Sequence, residues 1–155
     1  MNVVSSSGDT NVVRFRAHSG KTIVQHPDNS WTKTVSNRID ELMRLSKGWD
    51  GYQGTPVRFE TGFFTLNMLR SICPGDMDAP QIVPGPSGDL QVEWHYLHTS
   101  IELHVRGPNR VDAWRRSPST GPDGEELALT NDFTQVVEWI SQLHQVPLAA
   151  HAAAG

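Results

Sequence analysis

Two periods of apolar placement divide this chain. Between residues 35 and 73 apolar positions recur at helical spacing, and between 81 and 115 they alternate with polar ones. The first predicted helix covers Val35 to Lys47, with Val35, Ile39, Leu42, Met43 and Ser46 on one face. Thr34 or Ser36 is its expected cap and Gly48 its expected left-handed stop. A second helix is predicted after Thr55-Pro56, because threonine caps and proline at the first helical position forfeits no needed hydrogen bond. Its stripe reads Phe59, Phe63, Leu66, Leu69 or Arg70, and Cys73, and Pro74 stops it. Gly62 inside that helix costs about 1 kcal/mol against alanine. A close neighbour would explain it.

Strand signals follow. Leu90, Val92, Trp94 and Tyr96 alternate with Gln91, Glu93 and His95; Ile101, Leu103 and Val105 alternate with Glu102, His104 and Arg106. Gln81-Ile82-Val83 is a strand before them, with residues 84–89 as the turn, and Gly107-Pro108-Asn109 turns the chain into a strand over Arg110 to Arg115. Ser117 to Gly124 is a loop. A last helix starts near Thr130 or Asn131, with Phe133, Val136, Val137, Ile140 and Leu143 as its stripe and Pro147 as its end. Near the N-terminus, Val12–Arg16 and Thr22–Gln25 read as a hairpin around His18-Ser19-Gly20-Lys21, and His26–Ser30 as a loop. The expected fold is α+β: an antiparallel meander of three to four strands packed on two or three helices, with an N-terminal hairpin. Residues 1–10 are expected to be a flexible N-terminus, 11–147 a single domain and 148–155 a flexible tail.

Composition narrows the function. The chain has 155 residues, 37% hydrophobic and 19% charged, which fits one globular domain. No run approaches the roughly 18 apolar residues of a spanning helix. With 13 Lys plus Arg against 17 Asp plus Glu, the net charge of −4 argues against a broadly basic nucleic-acid binder. Cys73 is the only cysteine, which excludes an internal disulfide framework and a cysteine-based zinc cluster. It reads as a small buried hydrophobe at a helix end. The first ten residues lack the basic and apolar regions of a secretion signal, so a reducing cytoplasm is the expected compartment. No nucleophile elbow, phosphate-binding glycine loop, H-E-x-x-H or calcium loop occurs. No catalytic residue and no cofactor are expected.

One constellation carries chemistry. If the hairpin turns around His98-Thr99, Trp94 faces Leu103 and Val92 faces Val105 on the buried side. The same register sets Glu93 opposite His104 and His95 opposite Glu102 on the polar side, within about 5.5 Å at Cβ. Such a quartet has three readings. It could hold a divalent metal or run acid–base chemistry; it could be cross-strand pairing that stabilises an exposed face; or it could dock a partner. Arg106, Arg110, Arg115, Arg116 and Trp114 lie on or beside this face, and arginine and tryptophan are typical interface anchors. The expected partner-binding set is therefore Glu93, His95, Glu102, His104, Arg106 and Trp114, and the expected partner another protein, basic or nucleic-acid-handling. Metal binding by Glu93, His95, Glu102 and His104, and nucleic-acid binding by the arginines, are the alternatives.

Gly48-Trp49-Asp50-Gly51-Tyr52-Gln53-Gly54-Thr55-Pro56 is a dense turn motif. Its glycines permit positive φ, and Asp50 can accept from nearby amides. Trp49 and Tyr52 are expected to pack beneath the two helices; a sugar or base stacking on Trp49 is the alternative. The segment resembles one in small uncharacterised bacterial proteins, in which a helix, a GWDGYGA-x-P stretch and a second helix precede a P-x-V-x-P turn, a glycine and an E-W strand. The matching residues are Gly48 to Tyr52, Pro56, Pro80 to Pro84, Gly88, Glu93-Trp94 and Ile101-Glu102-Leu103, within residues 35–106. Gln53-Gly54-Thr55 departs from the usual Gly-Ala. The resemblance implies a partner protein of a mobile-element or defence operon, such as an antitoxin, and no catalytic residues. An antitoxin, immunity protein or inhibitor is accordingly the expected function.

Overall fold

The computed structural model describes residues 13–16, 22–25 and 29–153, with side chains over 29–144. Two helices, α1 (Thr32–Met43) and α2 (Phe59–Ile72), precede a sheet of five strands, and a third helix follows it. In chain order, after a hairpin of β1 (Val13–Arg16) and β2 (Thr22–Gln25), the strands are β3 (Gln81–Pro84), β4 (Leu90–Tyr96), β5 (Thr99–Gly107), β6 (Arg110–Arg116) and β7 (Glu125–Leu129); α3 is Thr134–Ala153. The class is α+β, with one strand more than the sequence suggests. Every neighbour pair is antiparallel and β3-β4-β5-β6-β7 is also the spatial order. β1 and β2 pair as a separate two-stranded sheet, as expected; their turn lies outside the described residues. No described helix is long and apolar enough to cross a membrane.

The alternation of β4, β5 and β6 sorts Leu90, Val92, Trp94, Ile101, Leu103, Val105, Val111 and Ala113 onto one face. That face packs on Val35, Ile39 and Leu42 of α1, Met68, Leu69 and Ile72 of α2, and Val136, Trp139, Ile140 and Leu143 of α3. The hairpin register differs from the expectation by two residues. Trp94 pairs with Ile101 and Val92 with Leu103, because the two-residue loop is Leu97-His98 and Leu97 takes φ 50. A two-residue hairpin favours positive φ at its first loop position, and here leucine occupies it. A slip of two keeps each side chain on its predicted face and changes only its partners.

The helix boundaries also move. α1 begins at Thr32 rather than Val35: the Val35 amide donates to the Trp31 carbonyl at 3.1 Å, and Trp31 is an N-cap with no side-chain bond. Thr34 and Ser36 are inside the helix. It ends at Met43, with Arg44 as its C-cap, before Gly48. α2 begins at Phe59 because Arg58 before it is extended, with φ −69 and ψ 144. The Thr55 amide donates to the Pro86 carbonyl at 2.9 Å and that of Val57 to Leu42 at 3.1 Å, so Thr55 is a tether and not a cap.

The buried face of α2 is Thr61, Thr65, Met68, Leu69 and Ile72, not the predicted Phe59 and Phe63. Those two phenylalanines are 70% and 61% exposed and stack with centroids 6.0 Å apart. Threonine goes inward at 65 because its hydroxyl donates to the Thr61 carbonyl at 2.8 Å. Gly62 faces α1: a Cβ there would sit 2.7 Å from Ile39 Cγ2 and 3.2 Å from Met43 Sδ. The close neighbour that its cost in helix propensity requires is therefore α1. Cys73 is part-buried and burial pushes its thiol up to about 12, as suits a packing residue. α3 runs through Pro147 to Ala153, past the expected stop. Proline removes one helical hydrogen bond, and the alanine-rich sequence beyond it favours helix on both sides.

Candidate functional site

The sheet face turned away from the helices carries the polar residues in rows across the strands. One row is Gln81, Glu93, Glu102, Trp114 and Glu126, each directly opposite the next. The adjoining row is Val83, Gln91, His104, Asp112 and Ala128. A third is His95, Ser100 and Arg116.

The predicted set is on this face, but its pairings are new. Glu93 stands opposite Glu102, not His104, and His95 stands opposite Ser100, not Glu102. Like charges directly opposite are destabilising. Gln91 offsets this: its Nε2 donates to Glu93 Oε1 at 2.9 Å and to Glu102 Oε2 at 3.1 Å. His95 Nε2 lies 3.0 Å from Glu93 Oε2, and its Nδ1 lies 3.0 Å from Ser100 Oγ. His104 is drawn off to Asp89, which its Nε2 contacts directly. Glu102, Gln91, Glu93, His95 and Ser100 therefore form one chain of contacts and His104 with Asp89 a separate pair, with no common centre for the four. Among the described residues, no group of three or more His, Cys, Asp or Glu is placed to hold a metal ion.

Asp89 lies on the β3–β4 turn and also accepts from the Ser87 amide at 2.9 Å. Burial pushes its carboxyl up, but the His104 imidazole and the Ser87 amide together outweigh that and hold it below the usual range. A carboxyl lowered on folding contributes stability that is present above its unfolded pKa of about 3.9 and is lost as pH falls through the folded value. Asp89→Asn is thus expected to lower stability at pH 7 and to shrink its loss below about pH 4. Urea midpoints from pH 2.5 to 7 measure this; parallel curves would remove Asp89 from the acid response.

Trp114 is half-buried. Its Nε1 donates to the Asp123 carbonyl at 3.2 Å, and the Arg116 guanidinium lies 5.9 Å from its ring centre. Arg106 pairs with Asp112 and sits at the irregularity between Val105 and Gly107. Together Gln91, Glu102, His104, Asp112, Trp114 and Glu126 line a concavity of about 560 Å³. Arg110 and Arg116 share the strand parity of Trp114, at opposite ends of β6. Arg115 does not: it points to the helices, 5.2 Å from the Trp139 ring, bonding Gln142 at 2.8 Å and Glu125 at 3.0 Å. Arg115 is thereby removed from the expected arginine surface.

The Gly48 motif closes on itself. Gly48 and Gly51 both take φ 82. Asp50 Oδ1 accepts from the amides of Tyr52 at 3.0 Å and Gly54 at 2.9 Å, and these bonds hold its carboxyl below the usual range. Trp49 Nε1 donates to the Thr55 carbonyl at 3.0 Å, just before Pro56. Tyr52 is 86% exposed, contrary to the expected packing beneath the helices. The motif is a turn whose Asp50 carboxylate and Trp49 indole find their partners within it.

Three features escaped the sequence reading: Glu126 and the strand that carries it, Asp89 as the partner of His104, and the exposed Phe59–Phe63 pair. For β7 a signal existed, since Leu127 and Leu129 alternate with Glu126 and Ala128. Glutamate and alanine are depleted in strands, which masked it. No protein-family model, curated protein or solved structure matches this chain.

Proposed function

We propose that this chain is a non-catalytic protein-binding module of the antitoxin, immunity-protein or inhibitor kind, and that it docks a basic surface of a larger bacterial or phage protein on its polar sheet face. The observation that carries this reading is the row Glu93, Glu102, Trp114, Glu126. Two opposed carboxylates share one amide next to a half-buried indole; His95 reaches Glu93, and among the described residues Glu102 has no cationic partner. A lysine or arginine from a partner supplies the missing counter-charge, and the indole offers it a flat face. The net charge of −4 favours encounter with a basic partner. The resemblance of the Gly48–Tyr52 segment to operon partner proteins agrees with this reading and does not define the surface.

The test is tagged capture of a partner from the native host, followed by titration of that partner with variants. Glu93→Lys with Glu102→Lys is expected to weaken binding about 100-fold, mostly through a slower on-rate, with an unchanged circular dichroism spectrum. Undiminished affinity in that double variant would sink the sheet-face reading.

A further inference from the structure

The two edges of the sheet are not equivalent. The loop Leu97-His98 makes Tyr96 and Thr99 a hydrogen-bonded pair, and alternation then fixes which groups each strand turns outward. On β3 the outward positions are Ile82 and Pro84. The Ile82 carbonyl accepts from Arg38 Nε at 3.1 Å, and Pro84 has no N–H to offer. That edge is closed by an arginine and a proline.

On β7 the inward groups belong to Glu125, Leu127 and Leu129, which pair with Arg115, Ala113 and Val111. The N–H and C=O groups of Glu126 and Ala128 face outward. Among the described residues nothing hydrogen-bonds them, and both residues are exposed. β7 contains no proline, lysine or bulge, the devices that usually blunt an edge. Beside it runs a groove of about 400 Å³ lined by Leu127, Leu129, Thr130, Asp132 and Gln135.

We propose that β7 is a strand-addition site whose occupant is an extended partner segment alternating basic and aliphatic residues. The two faces of β7 dictate that alternation. Glu126 on the polar face continues the acidic row, so it takes lysine or arginine. Leu127 and Leu129 on the other face are part-buried against the core, so they take aliphatic side chains. Charge also decides against a second copy of the chain. Antiparallel pairing of two β7 strands about Leu127 sets each Glu126 beside the other copy's Ala128 and diagonal to the other Glu126, so neither glutamate gains a counter-charge. Backbone pairing supplies affinity and the alternate side chains specificity, as in other strand additions. This inference rests on the protein-binding reading above and adds the edge and the partner chemistry to it.

The probe is the blocked peptide KVKVKVK, titrated against the full chain with amide exchange followed by NMR. The expected result is binding that slows exchange at Glu126 and Ala128 at least tenfold, and no binding of EVEVEVE. Ala128→Pro removes an outward N–H while sparing the bonds to β6, a placement edge strands tolerate; it is expected to weaken the peptide at least tenfold. Should that variant misfold, KVKVKVK methylated on alternate backbone nitrogens serves on the wild-type chain, with the same expected loss in one of the two methylation registers. No binding, protection confined to β4 and β5, equal binding of EVEVEVE, or a dimer that Ala128→Pro dissolves would each overturn the proposal. With the captured partner, the failures separate. If only Glu93→Lys with Glu102→Lys weakens binding, the edge fails and the face reading stands. If only Ala128→Pro does, the face reading fails and the edge stands.

Discussion

Trp31→Ala is expected to lower the unfolding free energy by about 3–5 kcal/mol. Trp31 is 1% exposed and lies at the entry to α1. Its carbonyl accepts the first helical bond from Val35, and its Nε1 donates to the Pro74 carbonyl at 3.0 Å. The neighbouring Ser30 amide donates to the Gly75 carbonyl at 3.0 Å. One side chain thus fastens the start of α1 to the exit of α2, and alanine would leave a cavity and remove one of the two bonds to the Pro74 carbonyl, which also accepts from the Met77 amide at 3.3 Å. Trp31→Phe separates the two effects. It keeps most of the apolar surface and loses only the indole donor, at a cost of about 0.5–1.5 kcal/mol. Urea unfolding with a constant slope against denaturant is the measurement. A loss below about 1 kcal/mol for alanine would place Trp31 outside the cooperative core.

Gly124→Ala is expected to cost about 2–5 kcal/mol, the sum of left-handed strain and overpacking. Gly124 has φ 76, and a Cβ there would lie 2.6 Å from the Arg115 carbonyl oxygen and 2.7 Å from Trp114 Nε1. Neither neighbour can swing away cheaply, since one is backbone and the other belongs to a ring already bonded to Asp123. Gly121 is the internal control. It has the same φ of 76 with nothing within 4 Å, so Gly121→Ala should cost only the strain, about 1–2 kcal/mol. The difference between the two variants isolates the close approach of Gly124 to Trp114 and the Arg115 carbonyl. Equal losses would mean that the contact at Gly124 relaxes freely.

The strands of this sheet are legible because alternation is a local property. Val92, Trp94, Leu103 and Val105 face inward whatever their partners are. Partners are not local, which is why the sequence suggests His104 opposite Glu93 and the structure sets Glu102 there. The deciding residue is Leu97, whose positive φ closes the hairpin and whose side chain gives no turn signal. α2 misleads for a different reason. Phe59 and Phe63 have the spacing of a core stripe, but Gly62 and the satisfied hydroxyl of Thr65 make the adjacent face the better one to bury. Of the candidate site, the face holding Glu93, Glu102 and Trp114 follows from parity alone. Its contacts, Gln91 between two carboxylates and Asp89 under His104, depend on register and on a turn, and neither is written in the local sequence.

Chain order and spatial order coincide in β3 to β7. As the chain leaves the ribosome, each new strand therefore finds its template already exposed, and loop closure stays short at every step. Growth runs in one direction only. Arg38 is synthesised before β3 and can seal that side at once, so the advancing boundary is always the most recent strand. Each strand serves in turn as the growing end, and among the described residues β7 is the last strand added. A partner segment bound there would repeat, between molecules, the step by which the sheet was assembled within one.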